Sequence, residues 1–259
     1  MREHTFELPE EARLKVHIGA GEVEIDTHAG REAFVRLTPV HDDEAGREAV
    51  ERATVELHGD ELVVQVRDKL LSFGGTPEIR AEIRCPEGTH ARLHSASADV
   101  RVRGRLGDTD AHVASGDVEL AGVDGGLDFH SASGDLHVGF VRDDAKLHSA
   151  SGDLELSRTE AAVDARTASG DFTLGDAGGG PVRVHSASGD VRIGVRAGRR
   201  VAVDVRTVSG AASSGIPLDE PAGGNEDGPL VAITVNGVSG DVRIERAAPT
   251  PDLVEPGQR

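Results

Sequence analysis

Apolar and polar residues alternate along most of this chain with a period of two, and a short Ser-Gly-Asp sequence interrupts the alternation at near-regular intervals. That core, or a close variant, starts at Ser97, Ser115, Ser133, Ser151, Ser169, Ser188, Ser209 and Ser239, in steps of 18, 18, 18, 18, 19, 21 and 30 residues. Counting each serine as zero, apolar residues fall at −4 (Leu93, Ala111, Phe129, Leu147, Ala165, Val184, Val205). They recur at +3 (Val100, Val118, Leu136, Leu154, Phe172, Val191) and +5 (Val102, Leu120, Val138, Leu156, Leu174, Ile193). Position +4 between them is Arg101, Glu119, His137, Glu155, Thr173 and Arg192. Alternation on both sides of a corner predicts two short strands per repeat, each with one buried face. A third short side is expected near +8 to +12, at Val123, Leu127, Val141 and Val163. One repeat cannot bury its inner face alone, whereas stacked repeats bury a continuous column. The pattern predicts an all-β fold, a single-stranded β-solenoid (β-helix) of about 18-residue coils. At ~4.8 Å per coil the array makes a rod about 40 Å long.

The corner has its own chemistry. Gly116, Gly134, Gly152, Gly170, Gly189 and Gly240 sit where a tight turn demands positive φ, which glycine accepts without strain. Asp117, Asp135, Asp153, Asp171, Asp190 and Asp241 follow them and are expected to bond back to the N–H groups of their own turn.

The segment Lys15–Ile25 aligns with Lys146–Leu156: Lys, His and Gly coincide, and Glu22 stands at the aspartate position. It is a disguised first coil, and the main array resumes 77 residues later, counting from Ala20 to Ser97. Between them the pattern changes. Ala33–Val40 alternates like a strand, and Asp42, Asp43 and Glu44 precede the helix-forming run Glu44–Ala53. Thr54–Leu57 and Leu62–Val66 read as a hairpin, 69–77 as a loop, and Glu78–Arg84 as another strand. The terminal coil of a solenoid needs a cap. Residues 1–25 are therefore a first strand and first coil, 26–90 a capping insertion with strands and one short helix, and 91–246 the solenoid. Ser209-Gly210-Ala211 lacks the aspartate, and Leu230–Arg246 is expected to restore one last coil. A mobile loop is expected at 217–229 and a disordered tail at 247–259, both rich in proline.

Composition narrows the function. The 259 residues include no Trp or Tyr and six Phe, so the core must be aliphatic, with Phe129 and Phe172 at inward positions. The formal charge of −18 disfavours nucleic acid and anionic membrane surfaces as partners. Cys85 is the only cysteine, which precludes an intrachain disulfide. Neither a signal-peptide core nor an 18-residue apolar run is present, so a cytoplasmic protein without membrane insertion is expected.

Several constellations could carry chemistry. Position −3 is His17, His94, His112, His130, His148 and His185, replaced by Arg166, Arg206 and Asn236 in other coils. In register this is an outward row of imidazoles, a weak candidate for transition-metal binding or pH sensing and more simply a polar ladder. The aspartate column could collect calcium, but its spacing fits neither calcium-binding nonapeptide repeats nor an EF-hand, so corner capping is preferred. The serine at zero recurs once per coil and the serine at −2 in several coils, whereas a nucleophile is a single residue with a dedicated base. No hydrolase, zinc-protease, P-loop or dinucleotide motif occurs, and Gly178-Gly179-Gly180 reads as a corner insertion. Neither a catalytic residue, a cofactor nor a metal is assigned. Arg192, Arg196, Arg199, Arg200 and Arg206 concentrate positive charge near one coil, where a solvated face is favoured over a docking site.

The run of Ser-Ala-Ser-Gly-Asp coils followed by alternating Val and Leu resembles the bacterial putative-adhesin family, over roughly 90–246 and again at 14–25. The resemblance implies a β-solenoid of unknown function and carries no catalytic residues. The expected function is a non-enzymatic scaffold or protein-interaction module. The alternatives are a self-assembling structural filament, or an envelope-associated adhesin or stress sensor. The expected partner is a protein or a second copy of the chain.

Overall fold

A computed structural model describes residues 1–66, 76–216 and 228–248. The loop expected at 217–229 and the tail expected at 247–259 fall largely outside these residues, as does most of the loop at 69–77. The alternating segments form strands β1 (Arg2–Glu7), β2 (Arg13–His28), β3 (Glu32–Pro39), β4 (Thr54–His58), β5 (Glu61–Gln65) and β6 (Glu78–Pro86), with helix α1 (Glu44–Arg52) between β3 and β4. The array follows as β7 (His90–Leu106), β8 (Thr109–Ser115), β9 (Val118–Val123), β10 (Leu127–Ser133), β11 (Leu136–Val138), β12 (Ala145–Ser151) and β13 (Leu154–Thr159). It continues with β14 (Val163–Ser169), β15 (Phe172–Ala177), β16 (Val182–Ser188) and β17 (Val191–Val195). The last strands are β18 (Arg200–Ser209), β19 (Ala212–Ser214), β20 (Leu230–Ser239) and β21 (Val242–Arg246).

From Ser115 on, each coil contributes one strand before its Ser-Gly corner and one after it, whereas in the first two coils β2 and β7 run through the corner unbroken. The strands pair in parallel with the equivalent strands of neighbouring coils, residue for residue, as in Phe129↔Leu147 and Leu136↔Leu154. The inner rows are aliphatic. Leu147, Ala165, Val184 and Val235 line one side, Leu156, Leu174, Ile193 and Ile244 the other, and Phe129 and Phe172 are wholly buried between them. Each fully buried side chain of this kind stabilises the fold by roughly 1.5–3 kcal/mol relative to exposure, and stacking is what removes it from water.

The expected third side is not a separate strand. Val123 closes β9, Val141 forms single bridges to Val123 and Thr159, and Leu127 and Val163 open the first strand of the next coil.

The first coil stacks directly on the second. β2 pairs with β7 in parallel with Ala20 opposite Ser97 and Glu22 opposite Asp99. β5 and β6 lie on the other edge of β2, also parallel, and the end is closed by antiparallel strands, β4 on β5 and β3 on β6. The Asp43 carboxylate caps α1 by accepting the Gly46 amide at 2.7 Å, and Ala49 and Val50 of the helix join the core.

At the other end the spatial order departs from the sequence order. β20 pairs with β16 on one edge and β18 on the other, and β21 lies likewise between β17 and β19. Leu230–Arg246 is therefore not the last coil. It is inserted beneath the preceding one, and β18–β19 form the end of the stack.

Candidate functional site

The corner glycines carry φ of +125° at Gly152, +129° at Gly170 and +118° at Gly240. A second constraint comes from stacking. A Cβ on Gly152 would lie 2.4 Å from the carbonyl oxygen of Gly134, and one on Gly170 would lie 2.2 Å from that of Gly152. The column is held by close backbone approach between coils as well as by turn geometry.

The aspartates bond to the neighbouring coil and not to their own turn, which corrects the expectation above. Asp117 Oδ1 accepts the Asp135 amide at 3.0 Å, Asp135 that of Asp153 at 2.8 Å, and Asp153 that of Asp171 at 2.8 Å. Asp171 accepts from Asp190 at 2.7 Å, Asp190 from Asp241 at 2.9 Å, and Asp241 from Ala211 at 2.9 Å. Parallel in-register stacking brings each carboxylate over the next coil's amide, so the repeated letter is an inter-coil bond. Ala211 closes this series, which explains the missing aspartate: no described coil lies beyond it to donate.

The histidines line up on the outer face of the first side. Ring centroids are 6.1 Å apart for His17–His94, 5.2 Å for His94–His112, 4.8 Å for His112–His130 and 4.7 Å for His130–His148. The two middle pairs are stacked with interplanar angles of 12° and 1°. Arg166 then separates His148 from His185. His112 and His130 sit 2.9 Å from Asp110 and Asp128. Burial, followed by the charge of His112, holds the His94 imidazole below its ordinary value. Burial, followed by His130 and Arg166, does the same at His148.

Position −1, beside the imidazoles, is an exposed row of alanines: Ala96, Ala114, Ala132, Ala150, Ala168 and Ala187. The −2 residues turn inward, and the hydroxyls of Ser131, Ser149, Thr167 and Ser186 are buried without a hydrogen-bond partner among the described residues. Histidine wall and alanine floor make two adjoining shallow depressions of about 460 and 590 Å³.

The second side carries a different surface. Glu22, Glu24, Asp99, Asp117, Glu119 and Glu155 line a groove of about 600 Å³ with Arg101 and His137. Arg101 Nε donates to Glu119 at 2.7 Å and holds that carboxyl below the usual range. Among the described residues no group of three or more His, Cys, Asp or Glu is arranged to hold a metal ion.

Within the arginine concentration, Arg192, Arg196 and Arg206 form ion pairs. Arg196 Nε donates to both carboxylate oxygens of the buried Asp176 at 3.1 and 2.9 Å, and its Nη1 donates to Glu160 at 3.1 and 2.8 Å. Arg206 bonds Asp204 at 3.0 Å, and Arg200 donates to the Gly228 carbonyl at 2.9 Å. A related cluster escaped the sequence reading. Arg105, Arg142 and Arg158 surround the Phe140 ring at 5.0, 5.7 and 5.8 Å. Burial pushes the Asp124 carboxyl up, but hydrogen bonds from Arg142 and Arg105 outweigh it and hold it below the usual range. Its signal was present as charges of opposite sign about one coil apart, outside the positions that define the repeat.

No curated protein matches the chain. Solved structures to which it is similar include putative adhesins from Bacteroides fragilis NCTC 9343 (14% identity), Parabacteroides distasonis ATCC 8503 (12%) and Parabacteroides merdae ATCC 43184 (12%). Each similarity has a TM-score of 0.45. They cover 93%, 94% and 93% of this chain and 96%, 96% and 95% of theirs. The Toastrack DUF4097 family model matches twice, over residues 8–177 and 81–245, together spanning the first coil, the insertion and the array. The chain belongs to the Toastrack DUF4097 family, a β-solenoid family of unknown function.

Proposed function

We propose that this protein is a non-enzymatic, adhesin-like scaffold that binds a protein partner along the histidine and alanine face of its rod. The observation that carries this reading is the continuity of that face over coils where the fold does not demand it. Arg166, Asn236 and Arg206 occupy the same position in other coils with unbroken register, so the strand accepts other residues there. Five coils nonetheless place imidazoles in one row, His17 to His148, beside exposed alanines. Planar rings above small apolar side chains form a surface of low relief with few long charged groups. Such composition suits the desolvated centre of a protein contact.

A scaffold also accounts for the repetition. The serine, histidine and aspartate groups recur coil after coil, whereas an active site needs one asymmetric constellation. The aspartates are committed to inter-coil bonds. A head-to-tail filament is disfavoured because α1 and the antiparallel strands close one end, while Ala211 offers no acceptor at the other.

A photo-crosslinking residue at Ala132 on the proposed face, compared with one at Glu155 on the acidic face, tests the assignment. Crosslinks to a protein partner are expected from Ala132 alone. Crosslinks from Glu155 alone, or none from either, would refute it.

A further inference from the structure

We infer that the C-terminal end of the rod is a self-complementary edge, through which two copies of this chain join tail to tail by antiparallel pairing of β18 with its symmetry mate. This inference is independent of the histidine face. Among the described residues β18 is hydrogen-bonded on one edge only, to β20. Its inward residues Val201, Val203 and Val205 pack against the core yet stay half-exposed, unlike their counterparts Val231, Ile233 and Val235 on β20. An open strand edge over an apolar row is a template for another strand.

The molecule already shows how it ends a parallel stack. At the opposite end β4 closes on β5 and β3 on β6, both antiparallel. No described strand does this for β18. A further parallel coil is poorly served, because the inter-coil bond needs a carboxylate where this end has Ala211.

The sequence of β18 fits an antiparallel copy of itself. With Val205 on the two-fold axis, Asp204 of each copy faces Arg206 of the other, and Ala202 faces Val208. Cross-strand neighbours of opposite charge stabilise an antiparallel pair, and two-fold symmetry makes each such contact twice. Asp204 and Arg206 are exposed and bond each other along the strand at 3.0 Å, and their neighbours on β20, Thr234 and Asn236, carry no charge, so the facing pair of a second copy extends this contact into a four-charge network. Val208 is 84% exposed and Val238 beside it 56%, at positions where earlier coils carry alanine. The small Ala202 opposite leaves room for Val208. The product is a rod of twice the length with its helix-capped ends outward, which leaves both histidine faces free.

Sedimentation of the full chain from about 1 µM to about 1 mM, the range in which a small strand-edge contact dissociates, reads this out. A monomer–dimer equilibrium is expected. Arg206→Asp places two carboxylates opposite each other twice and should weaken the dimer at least about tenfold. The double variant Asp204→Arg/Arg206→Asp exchanges the charges and should restore it. A monomer throughout, as when residues outside the described structure cover the edge, would overturn the inference. A dimer indifferent to Arg206→Asp, or species that keep growing with concentration, would do so as well.

Discussion

Asp190 Oδ1 accepts the amide N–H of Asp241 at 2.9 Å, across 51 residues of sequence but only one coil of the rod. Twenty residues or so would suffice for the next coil, and the segment that lies in between, β18–β19, is displaced to the end of the stack. The last coil in sequence is thus held on both edges, and the preceding one on a single edge.

Cysteine pairs test this order directly. His185 lies opposite Asn236 in the next coil, and Arg206 lies beyond Asn236. Adjacent in-register strands are ~4.8 Å apart, within disulfide reach, whereas a two-coil separation of ~9.6 Å is not. His185→Cys/Asn236→Cys should form an intrachain disulfide on oxidation, and His185→Cys/Arg206→Cys should not. The reverse outcome would place β18 directly on β16. Cys85 can stay in place, since it is buried and burial pushes its thiol up to about 11.

The aspartate column separates hydrogen bonding from charge. Asp153→Ala removes the acceptor for the Asp171 amide and should destabilise by about 1 kcal/mol, a fall of roughly 2–4 °C in Tm. Asp153→Asn keeps an acceptor oxygen, relieves repulsion along the column, and should leave Tm unchanged or raised. Equal losses in both would mean the column works through charge. Gly152→Ala meets both positive φ and the Gly134 carbonyl, so a loss of at least about 2 kcal/mol is expected.

Acid should weaken the rod through its histidines. His94 and His148 are held below the ordinary value of 6.5 chiefly by burial. His112, His17 and Arg92 add to the effect at His94, as do His130 and Arg166 at His148, while Asp110 opposes it at the first and Asp164 and Asp128 at the second. Groups depressed in the native state bind fewer protons folded than unfolded. Their contribution is complete above 6.5 and is lost as pH falls below it. Thermal unfolding at about pH 7.5 and about pH 5.5 should show a drop in Tm that His94→Gln/His148→Gln reduces. An identical drop in the variant would remove these two residues from the account.

Much of this architecture was legible in the chain because the rule behind it is local. Alternation around Ser-Gly-Asp gives strand, corner and inward face for each coil, and the weak match at Lys15–Ile25 places Ala20 against Ser97 in space. The histidine row followed from the same count. What escaped was the relation between coils. A 30-residue step from Ser209 to Ser239 looks like a long loop before the next coil, and nothing in the period distinguishes stacking beyond from insertion beneath. The aspartate's partner in the neighbouring coil is hidden from the sequence for the same reason. A carboxylate beside a turn has its own amides within reach, and only the register of the stack reveals that the next coil's amide is better placed. Ala211 was the available clue, a missing acceptor at the coil that ends the series.

The imidazole row is proposed to serve binding and not to be required by the fold. His94→Thr/His112→Thr/His130→Thr replaces three stacked rings with residues suited to strands. Measured on one preparation, crosslinking from Ala132 and Tm separate the two roles. The partner crosslink is expected to disappear while Tm moves by no more than about 4 °C, the effect of about 1 kcal/mol. A crosslink that survives, or a protein that no longer folds, would contradict it.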